Sequence, residues 1–185
     1  MYTTGMNDRK LMVFVILQFL FWNAGLSQSS NIVIDSNRLR RQATEMAESF
    51  IKADFATVVN YTYPKVVEMM GGKNKMVGFL KENIEKMKID GYVFKTLDVG
   101  LTSQFLNAGS EIHTIVLQRI VMTVPGGTLT TNSYLLGISG NGGKDWSFID
   151  TAPLHEKSRL ISLFPNYNQD LKIPQIEQPI FQEAR

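Results

Sequence analysis

Residues 111–138 read EIHTIVLQRIVMTVPGGTLTTNSYLLGI, and this stretch decides the fold. Two runs rich in β-branched and aromatic residues, Glu111–Val124 and Thr128–Ile138, flank the turn-forming Pro125-Gly126-Gly127. That combination predicts two antiparallel strands joined by a hairpin. Because side chains alternate across a strand, His113 and Arg119 share one face. A lone hairpin is marginal in water and has to be extended by further strands and covered on one face.

The flanking sequence supplies both. Tyr92–Leu101, roughly Ser103–Leu106, and Lys144–Asp150 carry the same strand-forming residues. Asn107-Ala108-Gly109-Ser110 and Gly140-Asn141-Gly142-Gly143 separate them with turn chemistry. On the last of these strands Trp146 and Asp150 fall on one face. The prediction is a curled antiparallel sheet of five strands.

Ahead of the sheet the period changes from two to that of a helix. Leu39, Ala43, Met46, Ala47, Phe50, Ile51, Phe55, Val58 and Val59 recur at helical spacing, with Asp35 or Ser36 as the cap. This helix bends or restarts near Asp54 and stops before Pro64, since the residue preceding a proline disfavours helical geometry. A short helix over Pro64–Met70 ends at Gly71-Gly72, and a third spans Lys73–Met87 with Met76, Phe79, Leu80, Ile84 and Met87 on one face. Beyond the sheet, Glu156–Leu163 reads as a last short helix. Pro165, Pro174 and Pro179, half of the six prolines, predict that residues 164–185 drape over the domain in extended form.

At 185 residues, with 44% hydrophobic and 19% charged side chains, the chain fits one globular domain with a substantial core. Arg9 and Lys10 followed by LMVFVILQFLFW (Leu11–Trp22) have the form of a secretory signal; the small residues Gly25 and Ser27 place cleavage after Ser27. The run is short of the ~20 apolar residues of a comfortable membrane span, and an uncleaved signal segment is the one predicted membrane contact. Residues 28–185 are then the mature domain, exported to a periplasmic or secreted location. Removing residues 1–27 takes away Arg9, Lys10 and Asp8 and lowers the formal net charge from +2 to +1. No broad basic field for nucleic acid remains, and Arg38, Arg40 and Arg41 read as the solvated start of a helix. With no cysteine in the chain, stability has to come from packing and no disulfide frame is available.

The opening helix ending in Val58-Val59-Asn60-Tyr61-Thr62-Tyr63-Pro64, the Gly71-Gly72 break and the strand Asp145-Trp146-Ser147-Phe148-Ile149-Asp150 resemble the nuclear transport factor two-like superfamily. Leu163-Phe164-Pro165 and Leu171-Lys172-Ile173-Pro174 are similar to the tails of its exported members. The resemblance covers about residues 36–175 and includes no catalytic motif. It implies an α+β fold, helices packed into a strongly curved antiparallel sheet as a cone with an internal cavity. It also implies a homodimer through the outer sheet face. Members include ketosteroid isomerase-like and dehydratase-like enzymes, carriers and assembly proteins, so the fold does not decide the function.

Local motifs narrow the chemistry. His113 and His155 are the two histidines, and no spacing brings metal ligands onto one helical face, so no metal and no cofactor is predicted. Gly140-Asn141-Gly142-Gly143-Lys144 lacks the first glycine and the Ser/Thr of a phosphate loop and leads into a strand. Gly137-Ile138-Ser139-Gly140-Asn141 lacks the last glycine of a nucleophile elbow. Asn60-Tyr61-Thr62 is a formal glycosylation sequon at the end of a packed helix.

Pocket candidates are Tyr61, Tyr63, Asp98, His113, Arg119, Tyr134, Trp146 and Asp150. In ketosteroid isomerase-like chemistry an Asp base works beside a Tyr and a protonated Asp in an apolar pocket. Structural roles compete for the same residues: packing at the helix end for Tyr61 and Tyr63, core for Trp146, strand-end polarity for Asp98 and Asp150. Three functions follow. The foremost is non-catalytic binding of a small apolar or amphipathic ligand. The others are an acid–base isomerase or dehydratase, and a dimeric interaction module.

Overall fold

A computed structural model describes residues 34–184, so the signal segment 1–27 and the start of the leader lie outside the described residues. Helix α1, Ser36–Ile51, starts where the Asp35 carboxylate accepts hydrogen bonds from the backbone N–H groups of Asn37 (3.0 Å) and Arg38 (3.2 Å). It ends as Ala53 takes a left-handed φ of 59°. Asp54 then caps α2, Phe55–Tyr61, accepting from the Thr57 N–H and hydroxyl at 3.2 and 2.6 Å. The restart expected at Asp54 is therefore an N-cap, the usual use of a short acidic side chain at a helix start. Helix α3, Pro64–Met69, and α4, Lys73–Ile89, follow, parted by Gly71 and Gly72 at φ of 85° and 95°. The third predicted helix runs two residues beyond Met87, to the Asp90-Gly91 break.

Among the described residues the sheet has six strands, antiparallel throughout: β1 (Val93–Thr102), β2 (Leu106–Ala108), β3 (Glu111–Val124), β4 (Gly127–Ser139), β5 (Ser147–Asp150) and β6 (Ile180–Glu183). The hairpin that opened the sequence reading is its centre, with β3 and β4 in register from Ile112↔Ser139 to Val124↔Gly127. β1 and β2 share the outer edge of β3, and β5 and β6 share the outer edge of β4. With the five α-helices among the described residues, the domain is α+β.

Three details differ from the sequence reading. The strand expected over Ser103–Leu106 lies at Leu106–Ala108, because Ser103 is held from the loop, its hydroxyl accepting the Ile115 N–H at 3.0 Å. Trp146 precedes β5, its N–H given to Gln42 Oε1 of α1 (2.8 Å) and its indole N–H to Gly143 O (3.0 Å). The tail is not extended to its end. After Pro179 it forms β6, since β5 pairs only with Leu135–Ile138 and leaves the edge of Gly127–Thr130 free to be completed.

Both sheet faces are covered near the open end of the hairpin. One carries Ile112, Val116 and Leu135 against Leu39 and Ala43 of α1, with Trp146 and Phe148 closing the cluster. Gly137 permits this approach, since a Cβ there would stand 3.4 Å from Leu39 Cδ1 and 3.3 Å from Thr114 Cγ2. The other face carries Ile115, Leu136 and Ile138 under Leu154, Phe164 and Leu171 of the carboxy-terminal segment. That segment consists of a 3₁₀ turn (Ala152–His155), helix α5 (Lys157–Leu163) and the irregular tail. Lys65 of α3 fastens α5, donating to the carbonyls of Ser162 (2.8 Å) and Leu163 (3.1 Å).

Candidate functional site

Where the hairpin runs past α1's tightly packed face, the helices stand away from the sheet and leave a cleft of about 560 Å³. Met46 and Phe50 of α1, Met76 and Leu80 of α4, and Leu97 and Ile120 of the sheet form its walls. Helix α4 buries none of its residues fully, and Phe79 on this side is 50% exposed. An apolar helix face that finds no close partner is the physical origin of the opening. The volume lies within the ~300–1,000 Å³ of small-molecule sites.

Polar groups are few in this cleft. Thr62 spends its hydroxyl on Val58 O at 3.0 Å. Gln118 of β3 is 4% exposed and lines the cleft, and no described residue hydrogen-bonds its side-chain amide. Asp150 of β5 lines it too, accepting from the Ser133 hydroxyl (3.3 Å) and the Ala152 N–H (2.6 Å). Gln118 and Ser133 are direct cross-strand partners, and Asp150 sits opposite the adjacent Leu135. Ser133, which is not itself on the lining, thus links Gln118 to the exposed Asp150 in a short polar row. Asp150 is the single charged side chain on the lining, and no Lys, Arg or His joins it there.

Of the eight residues singled out from sequence, Asp150 alone reaches this cleft. Asp98 and Arg119 are register partners on the opposite face, both exposed, with Thr96 donating to Asp98 at 3.2 Å. Tyr134 is half-buried on that face beneath the carboxy-terminal segment. Trp146 is core. Tyr61 donates to Glu45 Oε2 at 2.7 Å; burial, reinforced by that carboxylate, pushes its pKa up to about 12.

Tyr63 and His113 meet elsewhere, through a residue the sequence reading did not select. Glu111 accepts from the Tyr63 hydroxyl at 3.1 Å with one oxygen, and its other lies 3.0 Å from His113 Nε2. His113 is 1% exposed, wedged edge-on against Phe164 at 5.3 Å, and its Nδ1 has no partner. The carboxylate can only accept, so Nε2 carries the hydrogen of that bond. Burial, then the Glu111 charge, pushes Tyr63 up to about 12, and burial does the same for Tyr167. These phenols stay protonated near neutral pH and serve as donors. The Tyr63–Glu111–His113 chain thus joins the α2–α3 junction to β3 beneath the tail, with its imidazole sealed from solvent.

Glu111, Gln118 and Ser133 escaped sequence reasoning. Gln118 carried a usable signal: it shares a face with Val116 and Ile120 and breaks their apolar alternation, which matters once that face is known to be the covered one. Among the described residues no group of three or more His, Asp or Glu side chains is placed to hold a metal ion. No described helix is long and apolar enough to cross a membrane. Compared with known proteins, the chain matches no family model, no curated protein and no solved structure.

Proposed function

We propose that this protein is a ligand-binding domain whose cleft holds a small apolar or amphipathic molecule and catalyses no reaction on it. The observation that carries this reading is the roughly 560 Å³ cleft with an almost wholly apolar lining. Filling it would remove the apolar walls from water, worth roughly 25 cal/mol per Å² covered. Acid–base catalysis has weaker support, since Asp150 is the one predicted catalytic candidate on the cleft and neither His113 nor any tyrosine lines it.

The remaining expectations belong to the same proposal. Kinship with the nuclear transport factor two-like superfamily, and a sheet bent into a cone, are supported by the order of helices then strands. The register shifts in β1 at Phe94/Thr96 and Val99/Thr102 also favour them, as irregularities of this kind bend a strand. Export rests on the apolar run Leu11–Trp22 behind Arg9 and Lys10. A homodimer through the outer sheet face would use the part near Leu117 and Arg119, since the carboxy-terminal segment occupies the part near Ile115 and Ile138.

The test is a thermal-shift screen of the purified protein against long-chain aliphatic, sterol and aromatic compounds, followed by methyl NMR. A ligand that raises Tm should move the methyl resonances of Met46 and Met76 and leave that of Met69, which is 70% exposed on α3. A screen without any shift, or shifts that bypass Met46 and Met76, would remove the basis for the reading.

A further inference from the structure

The proposed ligand-binding role leaves open what kind of molecule the cleft selects, and its polar row addresses that question. Gln118 is 4% exposed and lines the cleft, and its side-chain amide has no hydrogen-bond partner among the described residues. The amide is open to the cleft and not sealed, so a molecule that fills the space has to hydrogen-bond it or leave it unpaired at a cost. Across β4 from it, the exposed Asp150 holds its carboxylate in place with two donors, Ser133 Oγ on Oδ2 and Ala152 N on Oδ1. A carboxylate has about four acceptor positions, so capacity remains after these two. No cationic side chain lines the cleft to use it.

Resting on the binding role above, we infer that the cleft takes an amphiphile whose single head group is a protonated amine, seated on Asp150 and Gln118 with its hydrocarbon body between α1, α4 and the sheet. The chemistry decides among head groups. An ammonium donates up to three hydrogen bonds and brings the charge that the lone carboxylate lacks, whereas Gln118 supplies an amide oxygen to a second of its hydrogens. An alcohol can make the same contacts without the charge. A carboxylate head meets the like charge of Asp150 and is disfavoured. The lining is too apolar for a polyamine or a sugar, whose further polar groups would go unpaired against Phe50, Leu97 and Ile120.

The experiment is a matched series of decylamine, decanol and decanoate, each below its aggregation concentration, titrated calorimetrically into the purified protein at neutral pH. The expected order is amine, then alcohol, then acid. The amine should bind about threefold more tightly than the alcohol, because a pair with an exposed carboxylate is screened by solvent and is worth only a few-fold. Asp150→Asn keeps an acceptor for Ala152 and should bring decylamine down to the level of decanol. Asp145→Asn, which removes an exposed carboxylate away from the cleft, should leave the order intact. Gln118→Leu should weaken amine and alcohol alike. If the three heads bind equally, or the amine preference survives Asp150→Asn, this inference fails while the cleft remains a binding site. If none of the three binds, this inference fails, and the binding role is decided by the sterol and aromatic members of the thermal-shift screen.

Discussion

Replacing Phe164 by Ala tests whether the carboxy-terminal segment is part of the core or merely lies on it. The ring is 2% exposed and rests between Tyr63 of the α2–α3 junction, at 5.0 Å between ring centroids, and the buried His113 at 5.3 Å. It belongs to one cluster with Ile115, Leu136 and Leu171. Truncating a buried Phe costs about 3–5 kcal/mol, a total that includes the loss of its ring contacts. A domain with total stability of about 5–15 kcal/mol would lose a fifth or more of it. In urea, with a slope near 2 kcal/mol/M, the midpoint should fall by about 1.5–2.5 M without a change of slope. Phe181→Ala supplies the comparison, since Phe181 is 51% exposed on β6 and should cost well under half as much. Should the two variants prove equally mild, the outer face of the sheet is not sealed by this segment and the reasoning fails.

Two other outcomes follow from local geometry. The Asp54 carboxyl is held below its ordinary value by its hydrogen bonds from the Thr57 side chain and backbone, so its cap stabilises above about pH 4 and fades as pH falls through the lowered value. Asp54→Ala should therefore lower Tm at pH 7 and leave it unchanged at pH 2, as measured by parallel melts of both proteins; an equal loss at the two pH values would contradict the cap. A Cβ at Gly127 would overlap the backbone carbonyl of Gln182 and meet Phe181 Cε2 at 2.8 Å. Gly127→Ala should then strip β6 from the sheet, seen as lost amide protection over the edge of Gly127–Thr130 with the Leu135–Ile138 edge unaffected; retained protection would place β6 elsewhere.

Several features were open to sequence reasoning because their causes are local. The β3–β4 hairpin followed from β-branched runs around Pro125-Gly126-Gly127, and the helical restart from Asp54 three residues before Thr57. The break at Gly71-Gly72 followed from two residues suited to positive φ. Features made by distant partners were not open to it. Ile180–Glu183 lies in a proline-rich tail and pairs only because β5 is too short to occupy the whole β4 edge. Trp146 sits in strand-like sequence, yet Gln42, 104 residues away, draws its N–H out of the sheet.

The site divides in the same way. Alternation alone paired His113 with Arg119, and the structure does put both on one face; one is sealed under Phe164 while the other is exposed. Which face of β3 meets the helices depends on pairing and on where the chain returns, and a strand's own residues do not encode that. By itself the sequence determined the helices, the central hairpin, their order, the turns and the break near Asp54, for each of these is decided within a few residues of backbone. Tertiary structure decided that Phe164 and Leu171 close the second face and that Glu111 links Tyr63 to His113. It also decided that the buried Gln118 and the exposed Asp150 line one apolar cleft, since such sites are assembled by packing between segments far apart in the chain.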